Sequence, residues 1–100
     1  MVKKNTTKKI TKKVTRKRVV FTLAAPGAKN VSLVGTFNNW NLKKHKMEKN
    51  KDGLWTKTLF IPLGKYEYKF FVSGEWWHDP ANENVIYNEH GTLNSIITIK

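Results

Sequence analysis

From Val19 onward the apolar positions recur with a period of two, in short runs separated by turn residues, and no stretch shows the 3.6-residue period of an amphipathic helix. Val20-Phe21-Thr22-Leu23 alternates and stops at Ala24-Ala25-Pro26-Gly27, and Val31 to Gly35 forms the next apolar run. Leu54 to Ile61 places Trp55, Leu59 and Ile61 on one parity, between the turn sequences Asn50-Lys51-Asp52-Gly53 and Pro62-Leu63-Gly64. The longest strand follows. In it Tyr66, Tyr68, Phe70 and Val72 share one parity, while Glu67, Lys69, Phe71 and Ser73 take the other, so Lys69 projects from the face opposite the core. Leu93 to Ile99 supplies a closing strand with Asn94 at its start. Strands at this spacing, with turns between them, predict an all-β antiparallel sandwich without a long helix. A doubly wound α/β sheet is excluded, and Gly35 and Gly74 stand alone as turn or close-approach glycines rather than as parts of a phosphate loop.

Composition narrows the picture. One hundred residues with 39% hydrophobic and 12% aromatic side chains suit one domain with a single modest core. Without cysteine there is no disulfide, thiol nucleophile or thiolate-held zinc, which favours a cytoplasmic setting. No apolar segment follows the basic start of the chain, so no secretory signal is expected, and nothing approaches the length of a membrane span.

The formal charge of +12 is unevenly spread. Residues 1–18 hold nine Lys or Arg and no acid, whereas residues 19–100 hold ten against all seven acids. The sequence thus divides into a basic arm, 1–18, flexible or extended, and a module, 19–100. The arm repeats weakly as Thr7-Lys8-Lys9-Ile10, Thr11-Lys12-Lys13-Val14 and Thr15-Arg16-Lys17-Arg18, and its bland reading is a solvated segment that aids solubility. Its functional reading is contact with a polyanion: nucleic acid, an anionic membrane surface or an acidic protein. Since the arm has no aromatic residue to stack on bases, such contact would go to phosphates.

The chemistry lies in the module's tryptophans. Trp40 closes Gly35-Thr36-Phe37-Asn38-Asn39-Trp40, a polar turn that argues for exposure, and Trp76 follows the long strand. Two turn-borne indoles with amides and a lysine nearby suit sugar rings, whose apolar faces lie on indole and whose rim hydroxyls need donors and acceptors. Trp76 and Trp77 must face opposite ways on an extended segment, one outward and one toward the core, and Trp55 sits on a packing parity. His78-Asp79-Pro80 reads as a turn with Asp79 capping local amides. His45, His78 and His90 have no partner at a metal-ligand spacing, and no cofactor is expected. Glu67, Glu75, Asp79, Glu83 and Glu89 lie on strands and loops of a small sandwich without a deep cleft, so a hydrolytic carboxylate pair is not expected, nor is an activated nucleophile.

The blocks Val31-Ser32-Leu33-Val34-Gly35-Thr36-Phe37-Asn38-Asn39-Trp40, Gly64-Lys65-Tyr66-Glu67-Tyr68-Lys69-Phe70-Phe71-Val72-Ser73-Gly74-Glu75-Trp76, His78-Asp79-Pro80 and Gly91-Thr92-Leu93-Asn94 carry a resemblance. From about Val19 to Lys100 the chain resembles the glycogen-binding domain of the AMP-activated protein kinase β subunit. More broadly it resembles family 48 carbohydrate-binding modules, the early-set immunoglobulin-like domains of isoamylases and branching enzymes. The resemblance implies an immunoglobulin-like β-sandwich and non-catalytic binding of α-1,4-linked glucans. Trp40 and the outward-facing Trp76 then match its stacking tryptophans, Lys69 and Asn94 its hydroxyl-bonding residues, and Thr92 lies in the matching loop. His90 stands where the kinase domain has a leucine that packs into the glucan coil, which implies an altered preference among cyclic and helical glucans. A glucan-metabolising enzyme is the partner such a module would bring to the polymer. Two other functions compete with glucan binding: polyanion binding through the arm, and a protein-interaction domain that has lost sugar affinity.

Overall fold

The computed structural model describes residues 14–100, and the expectations for residues 1–13 of the arm lie outside the described residues. Eight antiparallel strands and one short 3₁₀ turn make up the body: β1 (Arg16–Ala24), β2 (Val31–Gly35), the turn Thr36–Asn38, β3 (Glu48–Lys49), β4 (Leu54–Pro62), β5 (Gly64–Val72), β6 (Glu75–Trp77), β7 (Val85–Tyr87) and β8 (Leu93–Ile99). They form two sheets, the all-β sandwich that the period-two pattern predicts.

The first sheet has the order β1-β4-β3, with β1 and β4 paired along their whole length from Arg16 opposite Pro62 to Ala24 opposite Leu54. Strand β1 begins at Arg16, three residues before the module boundary expected from charge, because Arg16, Lys17 and Arg18 continue the ladder against Pro62, Ile61 and Phe60. In the second sheet β2 pairs with one edge of β5. On the other edge β8 pairs with residues 64–68 of β5 and β6 with residues 70–72, so β8 and β6 lie end to end and Lys69 falls at their junction. Strand β7 extends the sheet beyond β8.

Alternation decides what is buried. Phe21 and Leu23 of β1 and Trp55, Leu59 and Ile61 of β4 meet Leu33 of β2, Tyr68, Phe70 and Val72 of β5, and Ile99 of β8. Phe70 is fully buried, and Tyr68 packs edge-on to both Phe21 and Phe70 with ring centroids 5.1 and 5.9 Å away. Burying each such side chain contributes about 1.5–3 kcal/mol. Trp55 is a core residue, as its parity predicts, and its indole N–H donates to the Ala25 carbonyl at 2.8 Å.

Strands β3, β6 and β7, at two or three residues each, are too short to show a period and are absent from the sequence reading. Tertiary pairing makes them strands. Among the described residues no helix is long and apolar enough to cross a membrane.

Candidate functional site

The site is built on the outer face of the second sheet. Residues opposite one another in a ladder share a face, so the pairings Val34 with Lys69, Phe71 with Trp76 and Asn94 with Ile86 lie on the outer side, whereas Trp77 shares the core side with Phe70. The two adjacent tryptophans separate accordingly. Trp76 is 48% exposed, and Trp77 is half-buried against the core. The Phe71 ring supports Trp76, with centroids 4.8 Å apart.

Trp40 is presented by a strained turn. Gly35 ends β2 against β5 so closely that a Cβ there would lie 2.5 Å from the Glu67 carbonyl oxygen and 2.9 Å from Tyr68 Cβ. Glycine is therefore required by contact, not by backbone angle. Beyond it the buried Asn38 accepts from the Gly35 N–H through Oδ1 and donates through Nδ2 to the Leu33 carbonyl and to His45 Nδ1. That amide, polar in sequence, serves the turn and not the surface. Asn39 and Trp40 then adopt left-handed backbone, φ 56° and 57°, closed by the Trp40 N–H donating to the Gly35 carbonyl at 2.9 Å. For a residue as bulky as tryptophan such a φ costs about 1–3 kcal/mol. The turn holds the half-buried ring at the surface, outside the core.

A third segment, the β7–β8 turn, is organised by Asn88. Its Oδ1 accepts from the His90 and Thr92 N–H groups, at 2.9 and 3.1 Å, and its Nδ2 donates to Thr92 Oγ1 at 2.7 Å and Asn94 Oδ1 at 2.9 Å. Gly91, at φ 80°, closes the turn with its N–H on the Asn88 carbonyl.

From there a chain of bonds crosses the floor of the site. Asn94 Nδ2 donates to Glu67 Oε1 at 3.0 Å, and Lys69 Nζ donates to Thr92 Oγ1 at 3.2 Å. Lys69 Nζ also lies 5.9 Å from the centre of the Trp76 ring, within cation–π range. Lys69 is on the outer face, as its parity predicts, yet only 7% exposed, and burial lowers its pKa.

Trp40, Lys69, Trp76, His90, Thr92 and Asn94 all line one open groove of about 1240 Å³. Residues to which the sequence reading gave no part in sugar binding complete it: Thr36, Leu42, Glu67, Trp77, His78, Pro80, Asn88, Glu89 and Leu93. Glu67 carried a signal, its parity with Lys69, and Asn88 another, the spacing Asn-x-x-Gly of a turn. Leu42 carried none. His90 is well exposed, its Nε2 3.9 Å from the Glu89 carboxylate. Asn94 is buried, and both ends of its amide are bonded within the protein.

Behind the groove the polar end of Tyr68 is sealed. Its hydroxyl donates to Asp79 Oδ2 at 2.7 Å and accepts from Asn82 Nδ2 at 3.1 Å, and burial together with the Asp79 bond holds its pKa well above the ordinary phenol range. Asp79 also accepts from the Ala81 N–H at 2.9 Å, the local cap expected of His78-Asp79-Pro80.

Known proteins show the same architecture. A maltogenic amylase from S. marinus superimposes with a TM-score of 0.71 at 29% identity, over 85% of this chain and 14% of that one. The 5'-AMP-activated protein kinase subunits beta-2 of Homo sapiens and beta-1 of Rattus norvegicus are each 40% identical over 74 residues, which are 74% of this chain and 26% of each relative. The chain thus spans about a quarter of the length of the curated relatives it matches. Residues 18–100 match the family profile of the glycogen recognition site of AMP-activated protein kinase, and by that match this chain belongs to that family.

Proposed function

We propose that the sandwich, including the β1 residues Arg16, Lys17 and Arg18 that charge alone assigned to the arm, is a non-catalytic module that binds α-1,4-linked glucans in the groove on the outer face of the second sheet, and that the basic residues preceding β1 are a separate element. One observation carries the reading: Trp40, Lys69 and Trp76 and the Thr92–Asn94 segment come from separate parts of the chain, yet line a single groove. Consecutive glucose rings stack on Trp40 and Trp76, while Lys69, Thr92 and Asn94 orient hydroxyls. The bonds from Asn88 and Glu67 hold Asn94 in place before any sugar arrives, which limits the ordering entropy of binding. His90 offers a ring edge and a hydrogen bond in place of an apolar insertion.

Each aromatic contact contributes about 1.5–3 kcal/mol. Less the cost of association, a pair of them gives an affinity roughly between millimolar and micromolar, which the repeated chains of a polymer would raise through multivalency. A reducing, cytoplasmic setting and a glucan-metabolising partner enzyme complete the proposal. The relatives matched are kinase beta subunits by name and the family is a glycogen recognition site, which supports a role in binding and not in catalysis.

The test is titration with maltoheptaose followed by tryptophan fluorescence. Saturable quenching that persists in about 0.5 M salt and disappears in Trp40→Ala is expected. Binding that depends on low salt and survives Trp40→Ala would transfer the function to the basic arm.

A further inference from the structure

Glu67 and Lys69 stand two residues apart on the same face of β5, about 7 Å along the strand, and carry opposite charges. Among the described residues they make no ion pair with each other. Each is tied elsewhere: Lys69 Nζ to the Thr92 hydroxyl, and Glu67 Oε1 to the Asn94 amide. Glu67 is further pinned through its backbone, because Thr36 Oγ1 accepts from the Glu67 N–H at 3.1 Å and donates to the Glu67 carbonyl at 3.4 Å. The contact that requires glycine at position 35 bears on the same carbonyl.

The packing accounts for an acceptor at this position but not for a charge. One oxygen of an uncharged amide would also satisfy Asn94, and among the described residues no side chain donates to Glu67 Oε2. A half-buried carboxylate with one oxygen anchored and the other unused, in a groove lined by two tryptophans, has the character of a binding group. Carboxylates are acceptors only, and hydroxyl donors bond them more strongly than they bond a neutral acceptor.

Resting on the glucan-binding reading, we propose that Glu67 is an additional sugar-binding residue, accepting hydrogen bonds from the rim hydroxyls of the glucose unit that Lys69 contacts. Acceptor and donor together then fix the direction in which that ring lies on the indoles. The ligand class is a neutral glucan with free hydroxyls at this rim.

The experiment compares Glu67→Gln and Glu67→Ala with the wild-type chain in calorimetric titrations with maltoheptaose, and follows the side-chain amide signals of Asn88 and Asn94 by NMR. Gln keeps an oxygen for the Asn94 amide but removes the charge and replaces the second acceptor oxygen with an N–H donor. The proposal expects affinity in Glu67→Gln to fall about fivefold to tenfold with those amide signals in place, and at least as far in Glu67→Ala. Wild-type affinity in Glu67→Gln, with loss only in Glu67→Ala, would reduce Glu67 to a support for Asn94 and overturn the proposal. Wild-type affinity in both variants would overturn it as well. A wild-type chain that binds no maltoheptaose would overturn the glucan reading and this proposal together, an outcome distinct from failure in the variants alone.

Discussion

The two faces of β5 are built from alternate residues of one strand and hold their polar groups in opposite ways. On the core face the Tyr68 hydroxyl is closed off, donating to Asp79 and accepting from Asn82, with Phe21 and Phe70 against its ring. On the groove face Lys69 rests on one hydroxyl and beside one indole, and Glu67 uses one of its two oxygens. The core face spends all its bonding capacity on the fold, whereas the groove face keeps some in reserve. That difference separates a structural polar group from one that can exchange partners with a ligand.

Substitutions of neighbouring residues test the contrast most severely. Phe70→Ala empties a fully buried site and should cost about 3–5 kcal/mol, while Phe71→Ala, half-buried on the groove side, should cost about 1 kcal/mol and instead weaken maltoheptaose binding by removing the support of Trp76. Urea unfolding with parallel sugar titrations would show the crossover, and equal losses of stability would erase the distinction between faces. Gly35→Ala comes next. The added methyl meets backbone of β5 at 2.5 Å, so a loss of about 1–3 kcal/mol is expected, accompanied by weaker sugar binding because both Glu67 and the Trp40 turn must shift. Unchanged thermal stability would mean that the strands separate at little cost.

Tyr68→Phe removes a hydroxyl between Asp79 and Asn82 and should destabilise by about 1–2 kcal/mol in thermal unfolding while leaving sugar affinity unaltered. The smallest effect is one of pH. Burial lowers the Lys69 pKa, so between its native value and the ordinary lysine range the unfolded chain binds more protons, and stability contributed by this group rises with pH across that window. Lys69→Met should flatten that rise in denaturation curves measured against pH, and a variant whose slope matches the wild type would show that the lysine is effectively solvated.

His45 offers a parallel case outside the groove. Burial first, and then the charges of Lys57 and Lys44, lower its pKa, while its Nδ1 accepts from the buried Asn38 that shapes the Trp40 turn. Acidification through the ordinary histidine range should therefore cost stability, and His45→Gln should lessen that loss.

Much of this was legible in the residues. Alternation in Tyr66 to Val72 identified the core face of β5 and the outward course of Lys69, and the opposed directions of Trp76 and Trp77 followed from extended geometry alone. Both are local facts, because side chains on a strand point to alternate sides whatever the strand pairs with. The turn chemistry of Asp79 was equally local.

What the residues could not disclose depends on pairing between distant segments. The amide of Asn38 reads as surface polarity yet is buried, since its three partners lie on the end of β2 and at His45. Asn94 has both ends of its amide engaged only because β5 and the β7–β8 turn converge on it. The short strands β3, β6 and β7 exist only where a longer strand offers an edge. Sequence by itself determined which side of each long strand is apolar, because that depends on neighbours in the chain. Tertiary structure alone decided which polar groups are already bonded and which are left to meet a ligand, because hydrogen bonds across the sheet are settled by register, which no single strand contains.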